Sequence, residues 1–256
     1  MGRIEGKVII VTGAARGQGE ATARLFVEQG ARVVLTDVLA SEGHAVAEDL
    51  GERALFIKHD ITEEAAWTDV VNRTLDHFGA VDGLVNNAGV THFSRINESQ
   101  TADFDRVMAI NVRGSWLGMK AVSQAMIPKR KGAIVNIASI NGLRGSLGMT
   151  IYDASKWAMR GMTKSAALDL AGHGIRVNSV HPGAVDTPMI NPERDLDTKE
   201  MAQNFSIPLG RVGFPIDVAQ ASLFLISDEA AFITGAELAV DGGTMAGFAG
   251  DITTML

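Results

Sequence analysis

The single tyrosine of this 256-residue sequence, Tyr152, stands four places before Lys156 in the run Tyr152-Asp153-Ala154-Ser155-Lys156. Residues four apart share a helix face, so the phenol and the ammonium can approach a common point. A tyrosine titrates near pH ~10 and is a poor base at neutrality, but a fixed cation beside it favours phenolate. The pair therefore predicts proton exchange with an alcohol or a carbonyl compound, with Lys156 lowering the pKa of Tyr152. Isolated pairs at this spacing are common, so the assignment needs the rest of the chain.

A second chemistry lies near the N-terminus. Thr12-Gly13-Ala14-Ala15-Arg16-Gly17-Gln18-Gly19 follows a β-branched run and opens a helix-like stretch. Small residues let the backbone approach a phosphate, and the free N–H groups and dipole at a helix start favour a pyrophosphate. The spacing matches the general dinucleotide fingerprint only loosely. Asp37 ends the next strand-like run, where a carboxylate accepts hydrogen bonds from an adenosine ribose and repels a 2′-phosphate. NAD is expected over NADP on that ground, while Arg16 pulls the other way because a guanidinium can hold that phosphate. Asp60, followed by Ile61, ends the third run at the expected adenine edge. Asn86-Asn87-Ala88-Gly89 closes the fourth with small and amide-bearing residues where a cofactor would pass.

These residues need a scaffold that gathers them. Short apolar runs at Val8 to Val11, Val33 to Thr36, Leu55 to Lys58, Gly83 to Val85, Ala133 to Ile137, Arg176 to Val180 and Glu237 to Val240 read as about seven strands. Helix-like stretches alternate with them, around Gly17 to Glu28, Glu42 to Leu50, Glu63 to Phe78, Ala102 to Ile127, Ile151 to Ala171 and Ile216 to Leu225. Alternation of this kind implies parallel strands with crossover helices on both faces, a doubly wound α/β sheet whose ligands sit beyond the C-terminal strand ends. No linker or repeat divides the sequence, so one catalytic domain over residues 1–256 is expected.

Composition narrows the function. A net charge of −7 argues against a nucleic-acid partner. The densest basic run, Lys129-Arg130-Lys131, reads as cations at a helix C-terminus or as a dock for an acidic carrier protein. With no cysteine there is no disulfide, thiolate nucleophile or cysteine-based zinc site, and the six histidines lack ligand spacing, so no metal is expected. The N-terminus has no apolar signal core and no segment is long and apolar enough for a membrane span, which predicts a soluble, cytoplasmic protein.

Taken jointly, Thr12 to Gly19, Asp60, Asn86 to Gly89, Asn111, Ser139, Tyr152, Lys156 and Pro182-Gly183 resemble the short-chain dehydrogenase/reductase family in order and spacing, over nearly the full length. The resemblance implies a Rossmann-type fold and a nicotinamide cofactor that carries hydride. It implies that Ser139, Tyr152 and Lys156 form the catalytic group, and that Asn111 distorts its helix and holds a proton-relay water. Lys156 would also bond the nicotinamide ribose. Pro182, Gly183, Val185 and Thr187 would cover the nicotinamide end, joining Gly13, Arg16, Gly17, Gln18, Gly19, Asp37, Asp60, Ile61, Asn87, Ala88, Gly89, Tyr152 and Lys156 as cofactor contacts. Within the family the chain looks most like bacterial NAD-dependent hydroxysteroid dehydrogenases of the 3α/20β type, through Val81 to Val85, Ala154 to Trp157 and Gly235 to Gly243.

Residues 188–206 read as a substrate lid, with Met189, Ile190, Leu196, Met201 and Phe205 among charges. Asn141, Leu143, Leu147, Met149 and Thr150 are expected to face the pocket, as are His92 and Phe93. Ser139, Asn141, Met149, Tyr152 and Met189 are the expected substrate contacts. The lining favours a bulky apolar secondary alcohol, a hydroxysteroid or a more general one. Two alternatives stand beside this: a 3-oxoacyl thioester reductase, against which Asp37 counts, and a non-catalytic NAD-binding protein, against which the Ser139, Tyr152 and Lys156 set counts. The apolar tail from Gly242 to Gly250 predicts a subunit contact, and the family resemblance implies a homotetramer with the long helices near Ala102 and Ile151 as its main interfaces.

Overall fold

A strand buried on both faces must be apolar at every position, and Val8 to Val11 meets that requirement. In a computed structural model describing residues 2–193 and 197–247, this run forms β1 (Val8–Thr12). There follow α1 (Gly17–Glu28), β2 (Arg32–Asp37), α2 (Ala40–Leu50), β3 (Ala54–Lys58), α3 (Glu64–Phe78), β4 (Gly83–Asn86), α4 (Thr101–Met108), α5 (Ser115–Met126), β5 (Gly132–Ile137), α6 (Thr150–Ala171), β6 (Ile175–Pro182), α7 (Thr198–Asn204), α8 (Pro215–Ile226) and β7 (Glu237–Val240). Seven strands lie parallel in the order β3-β2-β1-β4-β5-β6-β7. The chain winds outward from β1 to β3, then restarts at β4 on the other side of β1. A crevice opens at that reversal, above the C-terminal strand ends.

Alternate strand residues feed two separate cores. Ile9, Val11, Val33 and Leu35 pack with Phe26 of α1 and with Val218 and Leu223 of α8. Val8, Ile10, Val34 and Leu84 pack with Trp67 and Val70 of α3 and with Leu117 and Val122 of α5. Each fully buried side chain of this size contributes about 1.5–3 kcal/mol. A third cluster is smaller: Met201, Ala202, Ile207 and Val212, on and after α7. Among the described residues, no helix is long and apolar enough to cross a membrane.

Local signals explain where elements stop and start. Gly79, at φ 76°, ends α3 in the left-handed region that glycine enters at little cost. Asp217 caps α8 by accepting from the Phe214 amide at 2.8 Å. The stretch read as one helix from Ala102 to Ile127 is two helices joined through a π turn at Ala109–Gly114. The distortion expected at Asn111 is present. Gly114 and Gly118 let this bent helix close on its neighbours: a methyl at either would lie 2.7 Å from Ile61 and from Trp67, respectively.

Candidate active site

The glycine-rich turn is held open by backbone geometry. Gly13 and Gly17 have φ of 63° and 62°, a region that side chains with a Cβ resist. A methyl on Gly13 would lie 2.8 Å from the Ala88 Cα, and one on Gly19 would collide with the Gly13 carbonyl. Asn87 staples this turn to β4. Its Nδ2 donates to the carbonyls of Thr12 at 2.9 Å and Gly13 at 3.1 Å, while the Thr12 hydroxyl accepts from the Asn87 and Ala88 amides at 3.0 Å each. Helix α1 begins after Arg16, whose side chain does not cap it, so its first N–H groups remain available to an anion. Gln18 Oε1, in the first turn, is buried without a hydrogen-bond partner. An uncapped helix start and a turn that leaves no room for a Cβ fit a dinucleotide pyrophosphate.

The flanking residues converge on the same crevice. Asp37 accepts from Ala15 N through Oδ2 and from Leu39 N through Oδ1, each at 3.1 Å, which fixes its carboxylate beside the turn. Arg16 is exposed next to it. Asp60 accepts from the Thr62 amide at 2.9 Å and hydroxyl at 2.8 Å, and the amide bond chiefly holds its carboxyl below the usual range. Ile61 is buried against Gly114. At the end of β6, Pro182 pairs with Val240; beyond it Gly183 donates to the Val240 carbonyl at 3.0 Å, and Val185 and Thr187 are buried. A methyl on Gly17 would touch Thr187 Cγ2 at 3.6 Å, so the segment after β6 closes over the glycine-rich turn.

Ser139, Tyr152 and Lys156 come together at the ends of β5 and α6. Ser139 starts a 3-10 turn, Ile140–Gly142, and its Oγ accepts from the Asn141 amide at 3.1 Å. Burial pushes the Tyr152 phenol up to about 12, the neighbouring Ser139 hydroxyl pulls it down, and the Asp153 charge raises it. Lys156, expected to lower the tyrosine, is not among these influences on it. The Lys156 ammonium donates to the Ile137 carbonyl at 2.9 Å and stands 5.6 Å from the Tyr152 ring centroid, and desolvation pushes it down to about 8. Burial disfavours the charged form of both groups, an effect that residue spacing does not reveal. Asn111 is fully buried; its Oδ1 accepts from Val90 N at 2.8 Å and its Nδ2 donates to Val90 O at 2.9 Å and Ser155 Oγ at 3.0 Å. It ties the loop after β4 to α6. Gly89 leaves space there, since a methyl on it would lie 3.2 Å from Asn111 Oδ1 and 3.7 Å from Lys156 Nζ.

Other expectations divide. Asn141, an expected substrate contact, is buried, and its Nδ2 donates to Asp153 at 2.6 Å. Met149 packs beside it, Sδ to Asn141 Nδ2 at 3.4 Å. Phe93, Leu147 and Met189 are exposed. Leu196, with Arg194 and Asp195, and the tail residues Phe248 to Gly250 lie outside the described residues. The basic run stands at the opposite end of the sheet, just before β5. There Lys129 lies 3.9 Å from Asp82, Lys131 lies 3.8 Å from Asp228, and Arg130 donates to the Gly172 carbonyl at 2.8 Å. A cavity of about 770 Å³ at that end is lined by Lys7, Asp82, Lys131, Arg176 and Asp228 and holds none of the expected site residues.

Sequence reasoning missed His181. Its imidazole is fully buried on β6, with Nδ1 2.9 Å from the Ser139 carbonyl and Nε2 2.9 Å from Ser179 Oγ. A carbonyl only accepts, so Nδ1 carries the proton and the Ser179 hydroxyl donates to Nε2. Burial lowers the His181 pKa, which keeps that neutral arrangement. A lone histidine before Pro182-Gly183 gave no sign of this; only the pairing of β5 with β6 does.

Comparison with known proteins agrees with the geometry. A family model described as enoyl-(acyl carrier protein) reductase matches residues 13–245. A 3-alpha-(or 20-beta)-hydroxysteroid dehydrogenase of Mycobacterium tuberculosis is 43% identical over 250 residues, covering 97% of this chain and 93% of that protein. A cyclopentanol dehydrogenase of Comamonas testosteroni is 44% identical over 248 residues, covering 95% and 98%. An NADP-dependent (R)-specific alcohol dehydrogenase of Lentilactobacillus kefiri is 41% identical over 248 residues, covering 94% and 97%. With its seven-stranded parallel sheet, its glycine-rich turn and these relatives, the chain belongs to the short-chain dehydrogenase/reductase family and is a nicotinamide-dependent oxidoreductase acting on CH–OH groups.

Proposed function

We propose that the protein interconverts a bulky, apolar secondary alcohol and its ketone with NAD, a hydroxysteroid being the first substrate to try. The observation that carries this reading is the Ser139 hydroxyl beside the half-buried Tyr152 phenol, at the strand ends next to the glycine-rich turn. Tyr152 exchanges the proton on the reacting oxygen, and Ser139 orients that oxygen because a hydroxyl can both donate and accept. A nicotinamide dinucleotide whose pyrophosphate is held at the glycine-rich turn would supply the hydride chemistry. A phenol pushed up to about 12 is protonated at neutral pH, so it is poised to give its proton to a ketone oxygen, and alcohol oxidation quickens as pH rises. Lys156 fixes the floor of the site and Asn111 holds its helix. Gly13, Arg16, Gly17, Gln18 and Gly19 take the pyrophosphate, Asp60 and Ile61 the adenine, and Asn87, Ala88, Gly89, Pro182, Gly183, Val185 and Thr187 the remaining length.

Asp37 supports NAD, since its fixed carboxylate stands where a 2′-phosphate would be repelled. Residues 188–206 work as a lid, and exposed Phe93, Leu147, Met189 and Phe205 give an apolar rim suited to a large ring system. Exposed Phe104, Trp116, Trp157 and Leu168 on α4, α5 and α6 support burial of those helices in a homotetramer. A carrier-bound thioester is disfavoured, because the basic run lies at the far end of the sheet and is engaged by Asp82 and Asp228.

The test is the initial rate of nicotinamide reduction with hydroxysteroids and simple cyclic alcohols, with NAD and NADP side by side. NAD-dependent turnover that falls by roughly 10²–10⁴-fold in Tyr152→Phe is expected. Activity that survives the substitution, or cofactor binding with no turnover across the panel, would replace this reading with a different chemistry or a non-catalytic role.

A further inference from the structure

Asp153 follows the reacting tyrosine and is buried, yet among the described residues no cation lies within ion-pair distance of it. A buried carboxylate without a cation is costly unless its oxygens are well satisfied. Here they are: Oδ1 accepts from Asn141 Nδ2 at 2.6 Å and Oδ2 accepts from the Ser146 backbone amide at 2.7 Å. Both are short, charge-assisted bonds, about twice as strong as neutral ones. Both donors belong to the turn between β5 and α6. The amide of the same Asn141 donates to Ser139 Oγ at 3.1 Å. Ser146 stands next to Leu147, which is 80% exposed on the rim. Two residues further on, the Gly148 carbonyl accepts from Ser94 N at 2.8 Å, joining the turn to the segment that carries Phe93. One carboxylate thus grips the turn at two points, one adjoining the reacting serine and one adjoining the apolar rim.

We infer that Asp153 is a positioning residue that clamps the turn 140–149, and so sets both the aim of Ser139 and the width of the cleft offered to the alcohol. The clamp stands on geometry alone; its kinetic consequence rests on the proposed alcohol chemistry.

Two arms test it in the full-length protein, with Asp153→Ala and Asp153→Asn. The first needs no substrate: hydrogen exchange at the Ser146 amide and tryptic cleavage after exposed Arg144. Both should accelerate about tenfold or more in Asp153→Ala, and less in Asp153→Asn, whose single carbonyl oxygen accepts only one of the two donors well. The second uses the alcohol that the wild type oxidises best. Its KM should rise about tenfold and kcat should fall in Asp153→Ala, with partial recovery in Asp153→Asn, while the KM for NAD stays within about twofold. Unchanged exchange at Ser146 in a folded variant overturns the clamp, and so does an equal rise in both KM values, which marks mere support of the fold. If the wild type oxidises no alcohol, the functional reading fails while the exchange arm still decides the clamp. If Asp153→Ala does not fold, Asp153→Asn is judged by the same criteria.

Discussion

The two sides of the crevice are built differently. On the side proposed for the cofactor, the glycine-rich turn is locked by hydrogen bonds from the Asn87 side chain to its carbonyls and from the Ala88 amide to the Thr12 hydroxyl, above two large cores that share the sheet. On the side proposed for the substrate, α7 and the turn after it rest on a four-residue buried cluster around Met201, and large apolar side chains face outward at Phe93, Leu147, Met189 and Phe205. A site for an invariant ligand part can be rigid, because the pyrophosphate and ribose never change shape. A site that must admit and release a large alcohol needs a segment whose opening costs little. The difference predicts that acid, added bulk and lost packing will act unequally on the two sides.

The largest effect belongs to His59, under the cofactor side. It is 2% exposed, its ring packs edge-on to Trp67 at 4.5 Å, and desolvation lowers its pKa to about 4. The folded protein therefore keeps His59 neutral where the unfolded chain binds a proton. Its contribution is fully present above the unfolded value near 6.5 and is lost as pH falls from there toward about 4. The loss amounts to roughly 3 kcal/mol from this group. Urea denaturation at stepped pH should show that slope, and His59→Gln should flatten it; an unchanged slope would remove His59 as the cause.

Gly19→Ala comes next. The added methyl meets the Gly13 carbonyl, and overpacking of this kind costs about 1–3 kcal/mol. Weaker NADH binding in a fluorescence titration is expected, with the KM for the alcohol unchanged. A variant that binds NADH normally would mean that the turn is not the rigid half. The smallest effect is that of Met201→Ala. Its cluster lies apart from the main cores, so global unfolding should shift by less than about 1 kcal/mol. The KM for the alcohol should rise a few-fold while NADH affinity holds. A shift of several kcal/mol would join the lid to the main core and weaken the comparison.

What was legible in the sequence follows the same division. Strand runs such as Val8 to Val11 and Ala133 to Ile137 are apolar at every position because parallel strands are covered on both faces, so the sheet could be read directly. Gly13, Gly17 and Gly19 stand where only glycine fits, which leaves a local trace. The Asp153 clamp, the His181 bond to the Ser139 carbonyl and the upward push on Tyr152 depend on residues brought together by folding or on solvent exclusion. Asn141 and Asp153 lie close to Ser139 and Tyr152 in the chain, but nothing local shows that their side chains meet. The Lys129 to Lys131 run was locally conspicuous, but its acidic partners, Asp82 and Asp228, lie far off in sequence.

The π turn at Ala109–Gly114 sets a constraint on how this gene can change. A wide turn holds one residue more than the α-helix it interrupts. Deleting a single codon there would let the turn regularise into an unbroken helix while removing the backbone kink to which Asn111 owes its reach to Val90 and Ser155. The flanking turns stay in register, because the wide turn is what absorbs the extra residue, so Leu117 and Val122 keep their places against the sheet. An edit that mends the helix would therefore spare the packing and lose the Asn111 ties, so the irregular stretch should tolerate substitution at its exposed positions far better than any change in length.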